Sequence, residues 1–238
     1  MAHMRISEGR VSEIRLDHLG RTSARITFSS LVSARAIPEP GQYVMAWKPA
    51  AIEAPLAIPL FPAEICAEGF WAASPVPGNW QPGDEIQLRG PLGHGFRFPA
   101  KVKVRHLALA ALEKNIARLL PLALKALQDN LAVTLFTDSS LPSLPTDLEV
   151  YPLSGLSSEL GWADFLALDL PADRLPFLRN ILGLHPGMHL PCPAQALMFT
   201  AIPCGGLAEC GACAVSGFHK WRLACQDGPV FDLNELEW

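Results

Sequence analysis

The chain has 238 residues, half of them hydrophobic and 18% charged, with a formal net charge of −4. That composition excludes a disordered protein, and the length suits one large domain, or two ordinary ones with a small appendage. The absence of any Lys- or Arg-rich run excludes nucleic acid as the expected partner.

The opening Met1-Ala2-His3-Met4 lacks the charged and apolar regions of an export signal. It reads as an expression remnant ahead of Met4, so the fold is taken to begin at Arg5. From there to about Pro99, short alternating runs predict strands: Arg10 to Leu16, Thr22 to Phe28, Tyr43 to Trp47, Glu64 to Ala72 and Glu85 to Leu88. They are broken by Pro38-Glu39-Pro40-Gly41, Pro75-Val76-Pro77-Gly78 and Pro82-Gly83-Asp84. Proline cannot donate to a ladder, so these breaks belong outside the sheet, and residues 5–99 are expected to form a small antiparallel β-barrel.

After Pro99 the pattern changes. Val104 to Ala110 reads as a buried strand, and Ile116, Leu119, Leu120, Ala123 and Leu127 share one face at helical spacing. Pro121 either kinks that helix or marks its first turn. Strands are expected again at Ala132 to Thr137, Leu148 to Pro152 and Phe165 to Leu168, with a helix around Arg174 to Leu182. Strand, helix, strand in that order predicts a parallel sheet of the Rossmann type over residues 100–193. The most apolar helix-like stretch, Ile116 to Leu127, contains Arg118 and Lys125 and falls short of the ~20 residues of a membrane span. A soluble, cytoplasmic protein is expected.

Residues 194–238 are rich in Cys and Gly and too few to build an apolar core, so they need a staple. Four of the six cysteines lie here, as Cys204-Gly-Gly-Leu-Ala-Glu-Cys210-Gly-Ala-Cys213 and then Cys225, a C-x5-C-x2-C-x11-C spacing. Without an export signal, metal ligation fits better than disulfides. Four thiolates are what a [2Fe-2S] cluster requires, and plant-type clusters use C-x4-C-x2-C with a distant fourth cysteine. Gly205, Gly206 and Gly211 suit a loop that turns backbone N–H groups toward negatively charged sulfur. The alternative is a four-cysteine zinc site, although such sites usually show two short-spaced pairs and this chain has one. Cys66 and Cys192 have no cysteine neighbours and read as small structural residues.

The run Glu209-Cys-Gly-Ala-Cys-Ala-Val215, followed by Trp221-Arg-Leu-Ala-Cys-Gln-Asp-Gly-Pro-Val-Phe-Asp232, resembles the cluster domain of the electron-transfer subunit of type B dihydroorotate dehydrogenases. Upstream, Pro40-Gly-Gln-Tyr-Val44 and Gly90-Pro-Leu-Gly-His-Gly-Phe96 are similar to the flavin-binding barrel of the wider ferredoxin reductase group. The resemblance implies a flavin-reductase-like barrel, a nucleotide-binding-like α/β domain and a small C-terminal [2Fe-2S] domain. It further implies FAD and NAD as cofactors, Cys204, Cys210, Cys213 and Cys225 as metal ligands, and a flavin-containing catalytic subunit in pyrimidine biosynthesis as the partner.

Two departures qualify what carries over. The family's Arg-Pro-x-Ser/Thr motif, whose Arg pairs with the FAD pyrophosphate, is Ala54-Pro55-Leu56-Ala57 here. A methyl group does not replace a bidentate guanidinium, which puts FAD in doubt unless Lys48 or Arg89 compensates. The Gly-rich turn of the family's nucleotide domain falls at Ala110-Ala111-Leu112-Glu113-Lys114-Asn115, which contains no glycine and carries an acid where a pyrophosphate would sit. Asp169-Leu-Pro-Ala172 stands where the family has Cys-Gly-Pro. NAD is therefore not expected, and Lys114 and Arg118 are read as a solvated helix face. No base, nucleophile or dyad is evident, and His94, His106, His185 and His189 are scattered. The expected function is an oxidoreductase component that relays electrons, not a complete enzyme. The other reading is a cluster-bearing relay or structural partner that has lost both nucleotide sites.

Overall fold

The computed structural model describes residues 6–16, 20–28, 36–49, 56–73, 75–113, 115–139, 144–185 and 188–238. Met1 to Met4, Ala54-Pro55, Lys114 and Pro186-Gly187 lie outside them.

The first sheet is antiparallel and contains β1 (Ile6–Leu16), β2 (Thr22–Phe28), β3 (Tyr43–Trp47), β4 (Ile58–Leu60), β5 (Pro62–Cys66), β6 (Gly69–Ala72) and β7 (Glu85–Leu92). Its order is β4-β3-β7-β1-β2-β6-β5. The two outer strands follow each other in the chain with only Phe61 between them, so the sheet curls until its edges are neighbours, which limits the exposed edge of an open sheet. The stretch Glu64 to Ala72, expected as one strand, is instead the β5–β6 hairpin, turning at Ala67-Glu68. Strand alternation fills the interior: Val44, Ala46, Ile86, Leu88, Val11, Ile26 and Phe70 form one buried cluster. The opposite set, Tyr43 and Met45, is just as buried but packs against the second half of the molecule.

The second sheet contains β8 (His106–Ala111), β9 (Ala132–Phe136), β10 (Leu148–Tyr151), β11 (Phe165–Pro171), β12 (Ala194–Phe199) and β15 (Val230–Asp232). Its order is β10-β9-β8-β11-β12-β15. The first five are mutually parallel and β15 is antiparallel to β12. Strand order reverses between β8 and β11, the topological switch point at which such sheets open a crevice beyond their carboxyl ends. Pro121 lies in the first turn of α1 (Leu120–Gln128), where its missing N–H costs nothing, and residues 117–119 form the turn leading into it. The helix expected around Arg174 to Leu182 is a 3-10 segment over Ala172–Phe177 followed by one turn of α-helix, α2 (Leu178–Ile181). Pro176 interrupts the backbone ladder there.

The tail does not stand alone. β12 and β15 join the parallel sheet, where Leu197, Met198, Val230 and Phe231 are buried. Trp238 Nε1 donates to the Leu233 carbonyl at 2.8 Å, and the Arg179 guanidinium lies over the Trp238 ring.

At the entry to β8, Asp164 Oδ2 accepts from the N–H groups of Arg105 (2.9 Å) and His106 (3.0 Å). Those two N–H groups hold its carboxyl below the usual range. A depressed folded-state pKa adds stability above the unfolded carboxylate range, and that stability is lost as pH falls through the folded-state value. Asp164→Asn is expected to lower stability at neutral pH while leaving it nearly unchanged at the acid end, so that the acid limb flattens, as read from thermal melts between pH 3 and 7.

Candidate cluster site

The site is built on two loops. After β12, Ile202 is buried and its carbonyl accepts from Gly205 N–H at 3.0 Å, which starts a tight turn at Cys204. The chain then takes positive φ at Gly205, Gly206, Ala208 and Gly211. This repeated left-handed geometry turns successive N–H groups inward. Ala212 N–H reaches Cys210 Sγ at 3.5 Å. The short hairpin of β13 (Ala214–Val215) and β14 (Arg222–Leu223) brings the distant fourth cysteine back: Ala224 N–H donates to the Cys213 carbonyl at 3.0 Å, and the sulfurs of Cys213 and Cys225 come within 3.3 Å. Asp227 Oδ2 accepts from Leu223 N–H at 2.8 Å and closes that turn.

The four cysteines fall into two pairs: the sulfurs of Cys213 and Cys225 are in contact, and Cys210 lies beside Cys204. Their environments differ. The Cys204 thiol is pulled down to about 6, first by the N–H of Glu209 and then by the Cys210 side chain and the N–H groups of Leu207 and Cys210. Cys225 is pushed up to about 12, first by burial and then by Cys213 beside it. Two adjacent thiols cannot both ionise cheaply unless a cation shares the site, and iron would supply that charge. Among the described residues, no three His, Cys, Asp or Glu side chains converge as ligands of a single ion do. Two pairs of thiols, ringed by N–H donors, suit a cluster with two metal centres.

The barrel touches this loop directly. Tyr43 is fully buried, and its hydroxyl lies 3.4 Å from the Cys225 carbonyl. Burial pushes its phenol up, and the thiolate charges of Cys225 and Cys213 act in the same direction. The turn Gly93–Phe96 of the barrel motif also meets the tail. His94 N–H donates to the Gly228 carbonyl at 2.6 Å, and His94 Nδ1 lies 3.0 Å from the Asp227 carbonyl. A Cβ at Gly93 would stand 2.4 Å from Pro229 Cδ. The two motif runs quoted from opposite ends of the chain therefore interlock, and glycine at 93 serves a close approach between them.

The other sequence candidates lie elsewhere. Lys48 Nζ is 2.7 Å from Asp84 Oδ1, and Arg89 faces Gly205 and Gly206 of the cluster loop. Of the Ala54-Pro55-Leu56-Ala57 stretch, only Leu56 and Ala57 are described, with Leu56 exposed. Arg118 is not on a solvated face. It is 6% exposed and binds Asp169 through two hydrogen bonds of 2.8 and 3.0 Å, with its guanidinium 4.3 Å from the centre of the Phe199 ring. Helical spacing could not reveal this, because residues 116–119 precede the helix. Burial pushes the Asp169 carboxyl up, against the opposing pull of Arg118. This pair stands at the carboxyl ends of β8 and β11, in the switch-point crevice, and Leu112 N–H closes onto the Asp169 carbonyl at 3.0 Å. His106 stacks on Trp162. Cys66 ends β5, whereas Cys192 is buried and its thiol is pushed up to about 11 by burial and then by Asp164. Cys192 and His189 line a cavity of about 530 Å³ with Arg179, Phe218 and Trp238; none of the four ligand-spaced cysteines takes part in it.

Residues 204–237 match the family of the iron-sulfur cluster binding domain of dihydroorotate dehydrogenase B. The chain is 27% identical over 217 residues to a probable dihydroorotate dehydrogenase B (NAD(+)) electron transfer subunit from Thermoplasma acidophilum, with 83% of this chain and 80% of the relative covered. Among solved structures, it is similar to an NADH-dependent reduced ferredoxin-NADP oxidoreductase described for flavin-based electron bifurcation. That match has a TM-score of 0.67 and 22% identity, covering all of this chain and 92% of the other. It also resembles the FAD-free form of the ferredoxin reductase of carbazole 1,9a-dioxygenase, with a TM-score of 0.55, 19% identity, and 76% and 64% of the two chains covered. At these identities the structural likenesses establish the fold alone: a ferredoxin reductase-like barrel beside a parallel-rich sheet. With cysteine spacing, family match and sequence relative in agreement, the chain is similar to the electron-transfer subunit of dihydroorotate dehydrogenase B over most of its length, and its residues 204–237 match that protein's iron-sulfur cluster binding domain.

Proposed function

We propose that this chain is a cytoplasmic electron-transfer subunit whose Cys204, Cys210, Cys213 and Cys225 hold a [2Fe-2S] cluster, relaying electrons to or from a flavoprotein partner such as a dihydroorotate dehydrogenase catalytic subunit. The observation that carries this reading is the placing of the thiols in two pairs, Cys213 with Cys225 and Cys204 beside Cys210, on a loop of repeated positive φ. When bound, a cluster of this type supplies one-electron chemistry. The protein's part is to bind and insulate it. Cys213 and Cys225 are buried against the sheet, and Cys210 lies at the surface, the side from which a partner can come close. Exposed apolar side chains stand beside that ligand in sequence or in the hairpin: Leu207 on the loop, and Phe218 and Trp221 between β13 and β14. We divide the work among residues 5–99 as scaffold barrel, 100–193 as degenerate nucleotide-binding-like domain and 194–238 as cluster domain, the last anchored by β12 and β15.

A second reading, a relay that has given up both nucleotide sites, is favoured by the Arg118–Asp169 pair in the crevice and the commitment of Lys48 to Asp84. One experiment separates the readings. Protein purified without oxygen is expected to contain two irons per chain and to show broad visible absorbance that bleaches with dithionite. Heat release of FAD would favour the first reading, and its absence the second. A colourless, iron-free and folded preparation would overturn both.

A further inference from the structure

Two cations are buried among the described residues, Arg118 and Arg89. Arg118 is engaged with Asp169. Arg89 sits mid-barrel on β7, opposite Met45 of β3 and Ile6 of β1, and is 7% exposed. Strand alternation sends its neighbours Ile86 and Leu88 into the barrel interior and sends Arg89 to the opposite face, the one that Tyr43 and Met45 occupy. There its guanidinium reaches the cluster loop. A Cβ at Gly206 would stand 3.2 Å from Arg89 Nη2 and 3.2 Å from Tyr43 Oη, and one at Gly205 would stand 3.8 Å from the same Arg89 nitrogen. The guanidinium and the phenol therefore both lie against the backbone between Cys204 and Cys210, and Gly206 lets them approach.

We propose that Arg89 is a positioning residue for the cluster: its buried positive charge seats the Cys204–Cys210 loop and favours the reduced state of the metal centre. The inference rests on the cluster reading above. Four thiolates leave a [2Fe-2S] centre negatively charged, and accepting one electron adds a further unit of negative charge at constant ligation. A fixed cation a few ångströms beneath the loop stabilises the more negative state more strongly, and low exposure keeps water and salt from screening it. The other cations of the cluster segment do not serve this purpose: Arg222 is tied to Glu235, and Lys220 is exposed between β13 and β14.

The test compares wild type, Arg89→Gln and Arg89→Lys, each purified anaerobically, by iron content, by the electron paramagnetic resonance spectrum of the reduced protein and by redox titration. Iron-free wild type would remove the cluster reading itself, separately from this inference. With iron in all three, Arg89→Gln is expected to shift the reduction equilibrium at least tenfold toward the oxidised state, about 59 mV for a one-electron couple. Arg89→Lys, which keeps the charge, is expected to shift it by less than half as much. Midpoints equal to wild type in both variants would overturn the proposal. If Arg89→Gln loses its iron, Arg89→Lys decides: retention of the cluster shows that the charge seats the loop, and loss there too would overturn the electrostatic role in favour of guanidinium shape alone.

Discussion

Cys210→Ser is expected to purify folded but nearly free of iron, with its visible absorbance lost. Cys210 is the informative one of the four proposed ligands because it is exposed, so the substitution opens no cavity. The same change at Cys213, 1% exposed, would mix loss of ligation with loss of packing. A serine hydroxyl does not deprotonate near neutral pH as a thiol does, and three thiolates leave one iron short of a ligand. The order of a segment this short depends on ligation, so limited proteolysis should open residues 204–225. It should not release the rest of the tail, because β12 is paired in register with β11 from Ala194 to Phe199, and β15 is paired with β12. Unchanged iron content in Cys210→Ser would show that this cysteine is not a ligand.

Arg118→Met is expected to destabilise the protein by about 3–5 kcal/mol, the cost of leaving a buried charge without its partner. Asp169 is 1% exposed and loses both of its hydrogen bonds from Arg118. The variant can keep that carboxyl buried only by protonating it, so the folded state binds a proton that the unfolded state releases at lower pH. A raised folded-state pKa contributes stability at low pH that is lost as pH rises through it, and the deficit of Arg118→Met should therefore shrink toward pH 4 and grow toward pH 8. The double variant Arg118→Met/Asp169→Leu is expected to recover most of the loss, since an apolar pair of similar volume often replaces a buried ion pair without penalty. Denaturant titrations at several pH values measure all three. A deficit independent of pH would mean that Arg118 acts through its packing on Phe199 and not through its charge.

The pair also bears on nucleotides. A doubly wound sheet binds ligands beyond the carboxyl ends of its strands at the switch point, and there this chain places Asp169, Arg118 and Phe199 against one another. The glycine-free run Ala110 to Asn115 already argued against a pyrophosphate on sequence grounds. The structure adds what stands there: Ala110 and Ala111 are buried, and Asn115 Oδ1 accepts from Ala117 N–H at 3.0 Å, turning the chain toward Arg118.

Much of the architecture was legible in the residues. Prolines and glycines punctuated the barrel strands, alternation marked their inner faces, and a strand-helix-strand sequence announced the parallel sheet, because these signals are local and depend on φ, donors and side-chain period. The strands at Ile58–Leu60, Ala194–Phe199 and Val230–Asp232 were missed. Each is short or lies beside a motif that reads as loop, and each owes its strand geometry to a distant partner, Tyr43–Trp47 for the first and β11 and β12 for the others.

The cysteine spacing belongs to the sequence alone: four thiols at ligand intervals with glycines between them point to a metal centre, a cluster ahead of zinc, before any fold is known. Only the tertiary structure decided which charges surround it. Arg118 turned from an expected surface residue into half of a buried pair, Arg89 from a candidate phosphate partner into the cation under Gly206, and Gly93 from a turn former into the contact point for Pro229. The reason is physical. Ligand spacing is fixed by bonds a few residues apart, whereas burial and charge pairing are fixed by which segments, remote along the chain, are brought within a few ångströms of each other.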